Sequence, residues 1–174
     1  MSGRAAIVLL AFVLGACASV PAPRPMPQLD SIPTAFEMSG RLSVRQGDHS
    51  EIARLRWTHT RDSDLWVIAS PLGNEVARIE STASGAHLAQ AGGPGEDASS
   101  FEALTQRLLG VGLDPALLAA WLHGRPPADA PADWKFSMDE TQQAGQVTLA
   151  KRLTASRGDV VVRLVVDSYR PLGD

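Results

Sequence analysis

The side chains in this sequence best suited to chemistry at neutral pH are one cysteine, Cys17, and four histidines, His49, His59, His87 and His123. Histidine is the usual proton shuttle and metal ligand near pH 7. None of the four has a second ligand at metal-binding spacing, and two lie in or beside turn-forming stretches, so each is read as a surface or packing residue. No G-x-S-x-G elbow and no phosphate-binding P-loop occur. The glycine-rich AGGPGE (91–96) lacks the lysine and helix start of a P-loop and is read as a flexible loop. Acidic residues are scattered, so nothing nominates a reaction or a cofactor. A formal net charge of −3 without a basic block argues against nucleic acid as a partner. With a single cysteine, no intramolecular disulfide can form.

The surroundings of Cys17 give that thiol a different role. One arginine in MSGR precedes ten apolar residues, AAIVLLAFVL (5–14), and then Leu14-Gly15-Ala16-Cys17. A charged start, a short apolar run and small residues describe a secretory signal. Ten residues are too few to span a bilayer, which needs about 20. The tetrapeptide matches the lipobox of bacterial lipoproteins, in which the cysteine becomes the acylated first residue. Residues 1–16 are therefore read as a signal peptide and Cys17 as the lipidation site. Bacterial lipoproteins of this kind carry three chains, which makes a durable anchor where one chain would hold weakly. Ala18 and Ser19 follow in place of the aspartate that retains such proteins at the inner membrane, which points to the outer membrane. ASVPAPRPMPQLDSIPT (18–34) holds five prolines. Extended at about 3.1 Å per residue, it would reach up to about 50 Å from the lipid. Residues 17–35 are read as the anchored tether and 36–174 as one domain with a single core.

The elements of that domain follow from periodicity. FEMSGRLSVR (36–45) alternates, with Phe36, Met38, Leu42 and Val44 on one face. EIARLRWTH (51–59) alternates Ala53, Leu55 and Trp57 against Arg54, Arg56 and Thr58. LWVIA (65–69) and EVARIES (75–81) flank a hairpin, and AHLAQA (86–91) is a weaker strand. The run LWVIA is apolar on both faces, so its parity is open. This is the pattern of an antiparallel meander. The period then changes. Ser99 with Glu102 fits a capping box before SFEALTQRLLG, with Gly110 as a stop, and Phe101, Leu104 and Leu108 share a face. Asp114-Pro115 opens a second helix, ALLAAWLH, ended by Gly124. GRPPADAPAD (124–133) is an exposed connection, and WKFSM, QVTLA, KRLTAS and DVVVRLVVD (159–167) return to strands. Helices inserted into an antiparallel sheet give an α+β domain, mainly β.

The turn SPLGN (70–74) poses a separate question. Proline in second place and glycine in fourth favour a type I turn with a left-handed glycine, a three-residue hairpin loop. That geometry sets Leu72 at the apex, where its own loop cannot cover it.

Taken in order, SGRLSV, RLRW ending in Trp57, a strand into SPLG, a short helix, AAWLHGRP and RLTASRGDVVVRLVVDSYR resemble the LolB family over most of residues 36–170. Members of that family are outer-membrane receptors for lipoproteins. The resemblance implies an incomplete antiparallel β-barrel whose short helices form a lid over a hydrophobic cavity. It implies, without cofactor or nucleotide, transfer of acylated lipoproteins from the periplasmic carrier LolA into the outer membrane. The family's membrane-inserting loop leucine matches Leu72. The partners implied are LolA, acylated cargo and outer-membrane lipid, with the receptor acting as a monomer. Candidate cavity walls are Leu55, Trp57, Val67 and Ile79 on strands and Leu104, Leu108, Leu118 and Trp121 on helices. Plain core packing is the competing reading for each. The stretch 134–156 is read as shorter in strands than the family pattern. Two rival functions remain at this level: a structural or assembly lipoprotein with a filled core, and a hydrolase whose site is assembled from distant residues.

Overall fold

The computed structural model describes residues 32–173. The signal peptide, Cys17 and the tether as far as residue 31 lie outside the described residues. Nine strands and two helices follow: β1 (Phe36–Gln46), β2 (His49–His59), β3 (Ser63–Ala69), β4 (Glu75–Thr82), β5 (Gly85–Gln90), β6 (Glu96–Ala98), α1 (Phe101–Leu109), α2 (Pro115–Leu122), β7 (Lys135–Ala144), β8 (Val147–Arg157) and β9 (Val160–Pro171). The strands make one antiparallel sheet in the order β6-β5-β4-β3-β2-β1-β9-β8-β7. Its two halves are meanders joined by β9 folding back beside β1. The two edges, β6 and β7, are not paired with each other among the described residues, so the barrel is incomplete.

Alternation decides which face is covered. On β1 and β2, Phe36, Met38, Leu42, Leu55 and Trp57 are buried, while Arg41, Arg54 and Arg56 are exposed. α1 packs on β4, β5 and β6, and α2 packs on β8. The core lies between these helices and the inner sheet face. The left-handed Gly110 (φ 72°) ends α1 as expected. Its N-cap, however, is Ser100, whose Oγ accepts from the Ala103 N–H at 3.2 Å, so the Ser99–Glu102 box does not form. One residue of shift lets Phe101 start the helix with its ring buried against Trp66 (4.9 Å between centroids). α2 is capped by Asp114, which accepts from the Ala116 N–H at 2.9 Å, with Pro115 in its first turn.

The last third is richer in pairing than its sequence pattern indicates. QVTLA and KRLTAS are one continuous strand, β8, and β7 runs on through polar DETQQA to Ala144. These residues alternate poorly because β7 is an edge with register shifts around Glu140. Part of AGGPGE is likewise not loop, since β6 starts at Glu96 and pairs with β5. A register shift also falls at Ser39/Gly40 on β1. There a side chain on Gly40 would overlap the Val165 carbonyl, so only glycine lets β9 approach so closely.

Candidate functional site

Where β1 to β4 run past the end of α1, the sheet and helix separate. The space between them is a half-open groove of about 450 Å³, lined by Leu42 and Val44 of β1, Ala53 of β2, Ile68 of β3, Ala77 of β4 and Leu108 and Leu109 of α1. Its walls are mostly hydrocarbon, and its size lies within the range of ligand sites, about 300–1,000 Å³. Glu51 and Gln90 stand among the few polar side chains at its edge. Ser70, also in the wall, keeps a buried Oγ with no hydrogen-bond partner among the described residues.

The β3–β4 hairpin projects beside this groove and contributes Ser70, Pro71 and Val76 to it. Its loop is locked by two backbone bonds, Gly73 N–H to the Ser70 carbonyl and Ser70 N–H to the Asn74 carbonyl, both 2.8 Å. Gly73 takes φ 95°, the left-handed position required by a three-residue loop. Arg54 Nε donates to the Pro71 carbonyl at 3.1 Å and braces the loop from β2. Leu72 is consequently held outward at 91% exposure. The described residues include two other exposed large hydrophobics, Ile52 at 62% and Val76 at 41%, and both border the same groove. An apolar groove, its rim and the loop apex thus form one region.

The candidate wall residues divide into four groups. Leu108 lines the groove. Leu55, Trp57, Ile79 and Leu104 are buried in the packed core beneath the helices. Leu118 and Trp121 border a second groove against Trp134 and the 125–131 connection. Val67 lies on the opposite, outward face and is corrected here. The pairing Trp57–Trp66 puts Trp66 inward and leaves Val67 between Arg56 and Arg78 in the outward row. The walls missed from sequence, Leu42, Val44, Ile68 and Ala77, carried a usable signal: each shares the inward parity of Leu55 or Trp57 through the strand register.

The other end of the sheet is closed. Phe36 packs on Trp57 (4.9 Å), His123 (5.3 Å) and Tyr169 (5.4 Å). Asp64 Oδ1 accepts from Trp57 Nε1 at 2.7 Å and His59 Nδ1 at 2.8 Å. His123 caps α2 with Nδ1 donating to the Ala119 carbonyl, and its Nε2 accepts from the Tyr169 hydroxyl, each at 2.7 Å. Burial drives the His123 pKa below its ordinary value, and nearby His59 pushes the same way, outweighing the Ala119 bond. Burial raises the Tyr169 pKa, so its hydroxyl stays a donor. This cluster is hydrogen-bonded within itself and to the end of α2. No group of three or more potential metal ligands occurs among the described residues.

Comparison with known proteins agrees with this architecture. The curated outer-membrane lipoprotein LolB of Azoarcus is 32% identical, covering 92% of this chain and 91% of its own length. That of Thiobacillus denitrificans is 33% identical over 95% and 96% of the two chains. Among solved structures, a LolA superfamily protein from Nitrosomonas europaea has the same fold, with a TM-score of 0.53 at 9% identity over 84% of this chain and 89% of that one. The family model for outer membrane lipoprotein LolB matches residues 34–169. The chain belongs to the LolB family of outer-membrane lipoproteins.

Proposed function

We propose that this protein is an outer-membrane lipoprotein receptor that accepts acylated cargo from the periplasmic carrier LolA in the α1 groove and delivers it to the membrane through the Leu72 hairpin. The observation that carries this reading is the continuity of an apolar groove with a braced loop whose apex leucine is 91% exposed. An acyl chain needs hydrocarbon walls and few directional bonds, so its affinity follows buried area and can be graded from carrier to receptor to bilayer. The unpartnered Ser70 hydroxyl offers a donor for an ester carbonyl at the groove wall. One leucine entering the interface gains about 1.5–3 kcal/mol, enough for a passing contact and too little for residence.

Anchoring through Cys17 is compatible with this contact. The hairpin base pairs through Arg54 with Arg41, five residues along β1 from Phe36, or about 17 Å toward the far end of the sheet. A tether read from its prolines as reaching up to about 50 Å would cover that distance.

A charge placed on the helix wall of the groove, or on the outward face of the sheet, tests this reading. Leu108→Arg is expected to abolish binding of a fluorescent fatty acid and transfer of cargo from loaded LolA. Val67→Arg, on the outward face, should leave both intact. The reverse pattern would put the ligand on the wrong side of the sheet for this reading.

A further inference from the structure

The outward face of the sheet carries an arrangement that the groove and hairpin do not use. Although the chain has a formal charge of −3, four arginines of this face, Arg45, Arg54, Arg56 and Arg163, have no carboxylate partner among the described residues. Two of them meet at the hairpin. Arg41, Arg54, Arg56 and Gly73 line a cleft of about 590 Å³ with Asp167 and Glu75. Both carboxylates are engaged, Asp167 by Arg41 at 3.2 Å and Glu75 by Arg78 at 3.1 Å. Arg54 spends only its Nε, on the Pro71 carbonyl. Its terminal nitrogens and the whole Arg56 guanidinium have no hydrogen-bond or ion-pair partner among the described residues.

The free forks flank the base of the loop that carries Leu72. A side chain at an interfacial apex sits about 5–10 Å into the acyl boundary. Cations one loop length behind it then lie at headgroup depth. Guanidinium forks match phosphate oxygens two at a time, and each cation near an anionic surface strengthens binding about fivefold. A net-negative domain approaching an anionic bilayer is also turned by the field, so that its cationic face leads. We propose that Arg54 and Arg56, with Arg41 behind them, form a phosphate-binding collar that seats the Leu72 hairpin on anionic phospholipid headgroups. The proposal rests on the membrane contact of Leu72 set out above.

The test uses the mature chain from residue 17 with Cys17→Ala, so that no acyl anchor holds it. Binding is measured to vesicles of phosphatidylcholine alone and to vesicles containing one-third phosphatidylglycerol. The double variant Arg54→Gln/Arg56→Gln should lose roughly 25-fold of the preference for anionic vesicles, about fivefold per arginine. Because Arg54 also braces the loop, the single variant Arg56→Gln isolates the collar: it should lose about fivefold of the preference, while its binding to neutral vesicles and its melting temperature stay unchanged. Arg54→Lys/Arg56→Lys should keep most of the preference. Arg61→Gln/Arg170→Gln, two charges at the opposite end of the sheet, should keep all of it. An undiminished preference in the glutamine variant overturns the collar. So does a variant that still prefers anionic vesicles yet fails to receive cargo, because the arginines would then serve a protein partner. Release by inorganic phosphate beyond that by chloride of equal ionic strength is expected of such forks, whereas tight binding of inorganic phosphate without vesicles, lost in the glutamine variant, would mark a site for free phosphate and overturn it. Leu72→Ala reads the hairpin separately and should weaken binding to both vesicle types equally. No change in that variant sinks the membrane contact, whereas the glutamine variant sinks the collar alone.

Discussion

The two ends of this sheet are built from similar strands and reach opposite outcomes. At the Phe36 end, large rings fill the space and the polar atoms of His59, Asp64, Trp57, His123 and Tyr169 satisfy one another. At the Leu72 end, α1 stops short, the inner wall stays apolar and open, and Ser70 Oγ has no partner among the described residues. A buried polar atom without a partner among the described residues also occurs in the aromatic core, at Trp66 Nε1 beside Trp57, so the open apolar wall and not the orphaned hydroxyl separates the two ends. Ring packing is concentrated at one end, and the other keeps an open apolar wall.

Substitutions sharpen the contrast, with the largest effects on stability at the closed end. Trp57→Ala removes a fully buried ring together with its bond to Asp64. It is expected to cost about 3–5 kcal/mol in urea unfolding. Tyr169→Phe strands the buried His123 Nε2 and should cost about 1–3 kcal/mol. Thermal unfolding of this variant against the wild type measures it.

The same histidine sets a pH dependence. Its folded pKa lies below the ordinary 6.5, so between those values the unfolded chain binds more protons than the folded one. Its contribution is fully present above 6.5 and is lost as pH falls through the depressed folded value. Melting temperature should therefore drop with acidification below pH 6.5. His123→Asn should flatten that slope while lowering stability at neutral pH. A slope unchanged in the variant would assign it to other groups.

At the open end the expected stability changes are smallest. Ile52→Ser and Leu72→Glu each alter an exposed side chain and should shift unfolding by no more than about 0.5 kcal/mol. A loss comparable to that of Trp57→Ala in either would mean that the open end is part of the stabilising core, and the contrast would fail.

Much of this was legible in the sequence where alternation was unambiguous. Phe36, Met38, Leu42 and Val44 announced the inner face of β1, and Ser70-Pro71-Leu72-Gly73 announced both the loop type and its apex. What was hidden has physical causes. β3 is apolar on both faces, so only its pairing with Trp57 shows that Trp66 and Ile68, not Val67, face inward. Whether inward residues line a groove or fill a core depends on where α1 ends relative to the strands. Composition carries no trace of that distance, so Leu55 and Ile79 looked like Leu42 and Ile68. β7 was underestimated because an edge strand buries little and tolerates polar residues. The arginine pair at the hairpin base is fixed by a bond from Arg54 Nε to the Pro71 carbonyl, a contact between a strand and a turn 17 residues apart that local patterning does not encode.

The central claim is that the hairpin apex acts in delivery and not in receipt. Lipoprotein loaded on LolA is mixed with liposomes and either the wild-type chain or Leu72→Glu, and cargo on the receptor and in the membrane is counted separately. The account predicts that both forms take cargo, that the wild type passes it on, and that the variant retains it. Equal delivery by both forms would contradict it and reduce Leu72 to an exposed side chain.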